Sequence, residues 1–108
     1  MQTQGTQQRK NISFVFSKTK LMCYISHLDL MRLMARALRR AGIPFYLTEG
    51  FHPHPKMKFQ RALKLGIPSH SEEGELALSG TIRPAEFVRK MNKQLPEGIK
   101  IEKAFFAE

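Results

Sequence analysis

Residues 12–17 read ISFVFS and residues 26–42 read SHLDLMRLMARALRRAG, and the hydrophobic period changes between them. In the first stretch Ile12, Phe14 and Phe16 alternate with Ser13, Val15 and Ser17. A period of two with one strongly apolar side is the pattern of a strand packed on a core. In the second stretch, at about 100° per residue, Leu30, Met31, Leu33, Met34, Ala35, Ala37, Leu38 and Ala41 fill one broad arc. Arg32, Arg36 and Arg39 fall opposite, with Arg40 at the edge of that row. Ser26 and Asp29 have the S-x-x-D spacing of a helix start, and Gly42 with Pro44 marks its end. A strand followed by an amphipathic helix over 27–41 is the first half of a layered α+β unit.

Working outward, Lys18-Thr19-Lys20 breaks the strand, and Leu21–Ile25 is an apolar run that reads as its continuation or as a hairpin return arm. Phe45-Tyr46-Leu47 is a short strand candidate. From Met57 onward, Met57, Phe59, Leu63 and Leu65 share one strand face, interrupted by Arg61, while Lys56, Lys58, Gln60 and Lys64 line the other. Gly66 and Pro68 end that strand, and PSHSEEGE, residues 68–75, reads as a polar connection. Leu76, Leu78 and Ile82 alternate as the next strand. Pro84 suits the first turn of a second helix with Glu86 beside it, and Phe87, Val88, Met91 and Leu95 form its apolar side. Pro96-Glu97-Gly98 turns the chain, and Ile99–Phe106 is a last strand. The order is β-α-β-β-α-β. That predicts a ferredoxin-like, split βαβ fold: a four-stranded antiparallel sheet with two helices on one face and the other face left for binding. An unrelated α+β sandwich of similar content is the alternative.

At 108 residues and 42% hydrophobic, the chain fits one domain, expected over residues 12–108 behind a flexible polar lead-in of residues 1–11. No apolar run approaches the roughly 18 residues that would span a membrane, and the N-terminus lacks the apolar centre of a secretory signal. The single cysteine, Cys23, suits a reducing cytoplasm. The net charge of +9 is uneven. Residues 1–64 carry twelve lysines and arginines against Asp29 and Glu49, a surplus of ten, whereas residues 65–108 carry six against seven acids. A concentrated basic region is the footprint expected for a phosphate backbone.

The stretch EGFHPHPKMKF, residues 49–59, carries three readings. His52 and His54 at i, i+2 could be two ligands of a metal site, with a third from His27, His70, Cys23 or Glu49. They could be packed within a loop stiffened by Pro53 and Pro55. Or the loop recognises nucleic acid, with Phe51 as a stacking ring, His52 and His54 as donors, and Lys56 and Lys58 as charges. The third reading is the one adopted, with Arg32, Arg36, Arg39 and Arg40 in the same surface. No Gly-rich phosphate loop, nucleophile elbow or carboxylates paired at a useful spacing are present, and no cofactor is expected. His27, at the helix start, is the best acid–base candidate, and Cys23 four residues before it is a weaker nucleophile candidate.

Residues 16–59 resemble a bacterial family of unknown function, the "radical SAM-linked" proteins, through a short strand, S-H-L-D-L, a helix ending R-R-A-G-I-P and then E-G-F-H-P-H-P-K. Residues 60–82 continue the pattern more loosely. The resemblance implies association, sometimes fusion, with a B12-binding radical S-adenosylmethionine protein, and hence an accessory role in a modification reaction for which RNA is a candidate substrate. Proteins of that family are usually about twice this length, so a shortened form or a piece of a longer chain is expected. With one cysteine the chain lacks the three-cysteine cluster motif of a radical enzyme. More distantly, the layout is similar to the RNA-binding modules of CRISPR repeat-processing endoribonucleases and of some pseudouridine synthases, and some of those endoribonucleases place a histidine where His27 stands. The expected function is an RNA-binding accessory module. The alternatives are a metal-independent ribonuclease using His27 and a protein-interaction module without nucleic acid.

Overall fold

The computed structural model describes residues 10–61 and 64–107. Strand β1 (Asn11–Lys18) leads through a 3₁₀ turn (Lys20–Tyr24) into helix α1 (His27–Arg40). Strands β2 (Met57–Phe59) and β3 (Ser69–Ala77), helix α2 (Pro84–Gln94) and strand β4 (Ile99–Phe106) follow. The four strands form one sheet in the order β2-β3-β1-β4, antiparallel throughout. This is the predicted ferredoxin-like arrangement. No described helix is long and apolar enough to cross a membrane.

The core forms because every second residue of β1 faces both helices. Ile12, Phe14 and Phe16 are buried in one cluster with Leu30, Met34 and Leu38 of α1, Phe87 and Met91 of α2, and Ile99 and Ile101 of β4. Each such side chain contributes roughly 1.5–3 kcal/mol by leaving water. Phe14 sits 5.6 Å from Phe87 and Phe16 5.4 Å from Phe59, both with tilted rings. Leu78 joins the cluster, as the burial pattern predicts for Phe14, Phe16, Met34 and Leu38 with it.

Helix α1 starts where expected: the Asp29 N–H donates to the Ser26 hydroxyl at 3.0 Å. It ends in a Schellman turn, with the Gly42 N–H on the Arg39 carbonyl and the Ile43 N–H on the Leu38 carbonyl, each at 3.1 Å. In α2 the Asn92 amide donates to the Ile101 carbonyl at 3.0 Å and accepts its N–H at 2.8 Å, tying the helix to β4 beside a register shift.

Several expectations are corrected. Leu21–Ile25 is no strand: Lys20 turns with a φ of 55°, and the Met22 N–H donates to the Thr19 carbonyl at 3.0 Å, closing a 3₁₀ turn. Phe45 and Leu47 make only isolated bridges, to Leu78 and Pro55. The strand expected from Met57 to Leu65 is three residues long, and Leu65 is exposed. Leu63 lies outside the described residues, as does most of the N-terminal lead-in. The polar run SHSEEGELA is itself β3, and Leu78 and Ile82 follow the strand rather than belong to it. Its polar side chains hid a half-buried strand. Glu73 and Glu75 pair with Val15 and Ser13 in register and face away from the core, whereas Glu72, Gly74 and Leu76 face it.

Gly74 belongs there for space. A Cβ on it would lie 2.6 Å from Phe14 Cζ and 3.0 Å from Phe59 Cδ1. Overpacking of this kind costs about 1–3 kcal/mol, so Gly74→Ala should lower the melting temperature by roughly 4–8 °C per kcal/mol. An unchanged thermal denaturation curve would show that these rings move aside freely.

Three ionic groups sit at the end of the sheet that carries the 3₁₀ turn. Lys18 is buried, and its ammonium donates to the carbonyls of Lys64 at 2.8 Å and Cys23 at 3.2 Å. Buried Glu72 pairs with exposed Arg61 at 3.4 Å. The Lys20 ammonium, through a hydrogen bond and its charge, holds the Glu97 carboxyl below the usual carboxylate range. A depressed carboxyl contributes stability above its ordinary range and loses it as pH falls. This exposed pair adds little.

Candidate nucleic-acid interface

The loop between α1 and β2 is built from its base upward. The Tyr46 N–H donates to the Ala77 carbonyl at 3.1 Å, the Ala77 N–H to the Lys56 carbonyl at 3.0 Å, and the Lys56 N–H to the Tyr46 carbonyl at 2.8 Å. These bonds weld both ends of the loop to the end of β3. Above them Leu47 bridges Pro55, which is buried, and the Thr48 N–H donates to the His54 carbonyl at 2.8 Å. The His54 N–H in turn donates to the Thr48 hydroxyl at 3.2 Å. Phe51 stands beyond this closure, 99% exposed. A loop held at its neck by hydrogen bonds and two prolines loses little freedom when its tip binds something.

His54 Nδ1 lies 3.0 Å from the His52 carbonyl oxygen, which can only accept, so this nitrogen carries the ring proton. Neither His52 nor His54 is joined by His27, His70, Cys23 or Glu49 into a group of three that could hold a metal ion among the described residues.

The structure sorts the predicted contact residues onto two sides of the sheet. Met57 and Phe59 face the core side, in register with Leu76 and Gly74, so Lys56 and Lys58 face the open side with the loop beside them. With Asn11, Thr48 and Glu75 they line a hollow of about 200 Å³. Arg32, Arg36, Arg39 and Arg40 are exposed on α1, in the helical layer behind the sheet. Arg40 is committed to structure, donating to the Gln94 side chain and carbonyl at 3.1 Å each. Arg32 pairs with Asp29 at 3.6 Å. Arg36 and Arg39 make no ion pair among the described residues.

The open face itself is not uniformly basic. Glu73 and Glu75 stand near its middle beside Val15 and Ser13, with Lys58 on one flank and Lys103 on the other. The centre of the open face is therefore acidic, and its two flanks are basic.

His27 lies at that same edge. Its ring meets Phe59 edge-on, with 5.4 Å between centroids and 86° between planes. The two rings border a cleft of about 520 Å³ between α1 and β2, whose other lining residues are Met31, Met57, Lys58, Gln60 and Arg61. Cys23 is buried in the 3₁₀ turn whereas His27 is exposed, which removes the reactive exposure that a nucleophile needs. The sequence reading missed Gln60, Arg61 and the two methionines as companions of His27. Arg61 did leave a signal, a cation at an apolar-face position of the strand pattern. Its partner Glu72 on β3 left none, because it sits in a run of polar residues.

A ferredoxin-like α+β module with cations along one sheet edge and a stiff aromatic-tipped loop above them is the class this arrangement defines. Within it, the chain belongs to the family described as an uncharacterized protein conserved in bacteria (DUF2344), which matches residues 11–107. No curated protein matches the chain.

Proposed function

We propose that this protein is an RNA-binding accessory module that contacts unpaired RNA through the 48–55 loop and the lysines of the β2 edge. The observation that carries this reading is Phe51, fully exposed at the tip of a hydrogen-bonded loop, with Lys56 and Lys58 at its base. A large apolar ring held out in water favours a flat apolar partner, and adjacent cations favour a phosphate chain. The surplus of ten positive charges in residues 1–64 supports the same reading. The resemblance of residues 16–59 to radical SAM-linked proteins supports a role beside a B12-binding radical S-adenosylmethionine protein in a modification reaction. The single cysteine suits work in the cytoplasm.

Titration of a labelled single-stranded RNA at several salt concentrations tests this. The parent should bind with affinity that falls as salt rises, and Lys56→Ala with Lys58→Ala should flatten the slope of log affinity against log salt by about 0.7 per lost phosphate contact. Failure of the parent to bind single-stranded RNA above duplex DNA ends the proposal. Metal-independent cleavage of the RNA, abolished by His27→Ala with affinity retained, would replace it with an enzyme.

A further inference from the structure

The hollow at the foot of the loop contains one acid, Glu75, among the lysines of the proposed RNA surface. The register sets Glu75 between Ser13 of β1 and Lys58 of β2. Two residues on, and so on the same side of β3, stands Ala77, with Asn11 opposite it on β1. Ala77 is small and buried beneath the loop neck, where its carbonyl accepts the Tyr46 N–H. The row of larger side chains is interrupted there, and the gap is the hollow of about 200 Å³ walled by Asn11, Thr48, Lys56, Lys58 and Glu75. Pockets that enclose a whole small ligand measure roughly 300–1,000 Å³, so this one suits a single flat ring carried on a chain.

The Glu75 carboxylate is not spent on its neighbours. Lys58 lies directly across from it, the position from which opposite charges ordinarily pair. Yet no ion pair joins Glu75 to any described residue. Instead the Asn11 amide donates to Glu75 Oε2, which fixes the carboxylate and leaves Oε1 without a donor among the described residues. A carboxylate only accepts, and it offers about four lone-pair sites, so whatever fills the hollow must bring donors.

We infer that the hollow receives the base of one nucleotide and selects guanine, with Glu75 as the selecting residue. This rests on the reading of the loop and the β2 edge as an RNA surface. Guanine alone among the four bases carries two adjacent donors on its Watson–Crick edge, N1–H and the 2-amino group, which match the two oxygens of one carboxylate. Adenine and cytosine place a ring acceptor beside their amino group, and uracil flanks its N–H with two carbonyls. Each of these turns an acceptor toward a fixed negative charge. In unpaired RNA that edge is free to be read, and a site built to bond a donor rejects the analogue lacking it. Lys56 and Lys58 in the same walls supply charge for the flanking phosphates, and they repel a lysine or arginine of a protein that would otherwise answer Glu75.

Fluorescence titration of the full chain with single-stranded RNAs of one length tests this. The strands are all uridine, or uridine with one central guanosine, adenosine, cytidine or inosine. The guanosine strand should bind at least about tenfold more tightly than the uridine strand. Inosine, which lacks the 2-amino group, should fall between them. Glu75→Gln should abolish the guanosine preference, because an amide presents one acceptor and one donor in place of two acceptors. Its affinity for the uridine strand should hold or rise, since a negative charge has gone. Its melting temperature should stay that of the parent, because glutamine keeps an acceptor for the Asn11 amide. Equal affinity for all strands, preference for another base, or a guanosine preference retained in Glu75→Gln would each overturn the inference while leaving RNA binding in place. Weaker binding of every strand by Glu75→Gln with a lowered melting temperature would also overturn it, by making Glu75 a structural residue. If the parent binds none of the strands, the proposed function fails and this inference with it.

Discussion

Gly98→Ala is expected to lower the melting temperature by roughly 10–20 °C, a loss of about 3 kcal/mol. Two costs combine. Gly98 has a φ of +99°, a conformation that costs a residue with a side chain about 1–3 kcal/mol. An added Cβ would also lie 2.7 Å from the Thr19 carbonyl oxygen and 2.8 Å from Met22 Cγ. Relief by movement is blocked on both sides. The Thr19 N–H donates to the Gly98 carbonyl at 2.8 Å, and the Thr19 carbonyl accepts the Met22 N–H at 3.0 Å. The turn entering β4 and the 3₁₀ turn leaving β1 are thus packed backbone to backbone. Thermal and urea denaturation followed by circular dichroism check this. A variant melting within about 2 °C of the parent would show that the contact contributes nothing.

Phe51→Ala should give the largest functional effect with almost none on stability. A base stacked on an aromatic ring contributes about 1–3 kcal/mol, so affinity for single-stranded RNA should fall roughly 5- to 150-fold. The ring is 99% exposed, and its removal leaves no cavity and no unsatisfied group, so the melting temperature should not move. The salt slope should also be unchanged, because the ring carries no charge and its loss releases no ions. That separates Phe51 from Lys56 and Lys58, whose removal changes the slope. Unchanged RNA affinity in Phe51→Ala would leave the loop tip without the stacking role assigned to it.

The two sides of the sheet divide the basic surface in a way that composition cannot show. Lys56 and Lys58 lie with the loop at the open-side edge, whereas Arg36 and Arg39 lie on the helical layer. One RNA strand reaching both must pass around the β2 edge, over the cleft that holds His27 and Arg61.

The parts that the sequence determined alone are those whose signal is local and periodic. Ile12, Phe14 and Phe16 at every second place specify one buried side of β1, because side chains alternate across a strand. The apolar arc of α1, with Ser26 before it and Gly42 after it, specifies a helix, its buried side and its ends. Pro84 and the Phe87–Met91 spacing do the same for α2. Given those elements in that order, few ways of covering one sheet face remain. The tertiary structure alone decided what depends on partners distant in the chain. SHSEEGELA becomes a strand because β1 and β2 pair with it on either side, Phe14 lies over Gly74, and Arg61 answers Glu72; none of these is visible in a run of polar residues. Leu21–Ile25 becomes a turn because its apolar composition is outweighed by the contact of Gly98 with Thr19. The cleft around His27 joins segments more than 25 residues apart, and only folding brings such segments together.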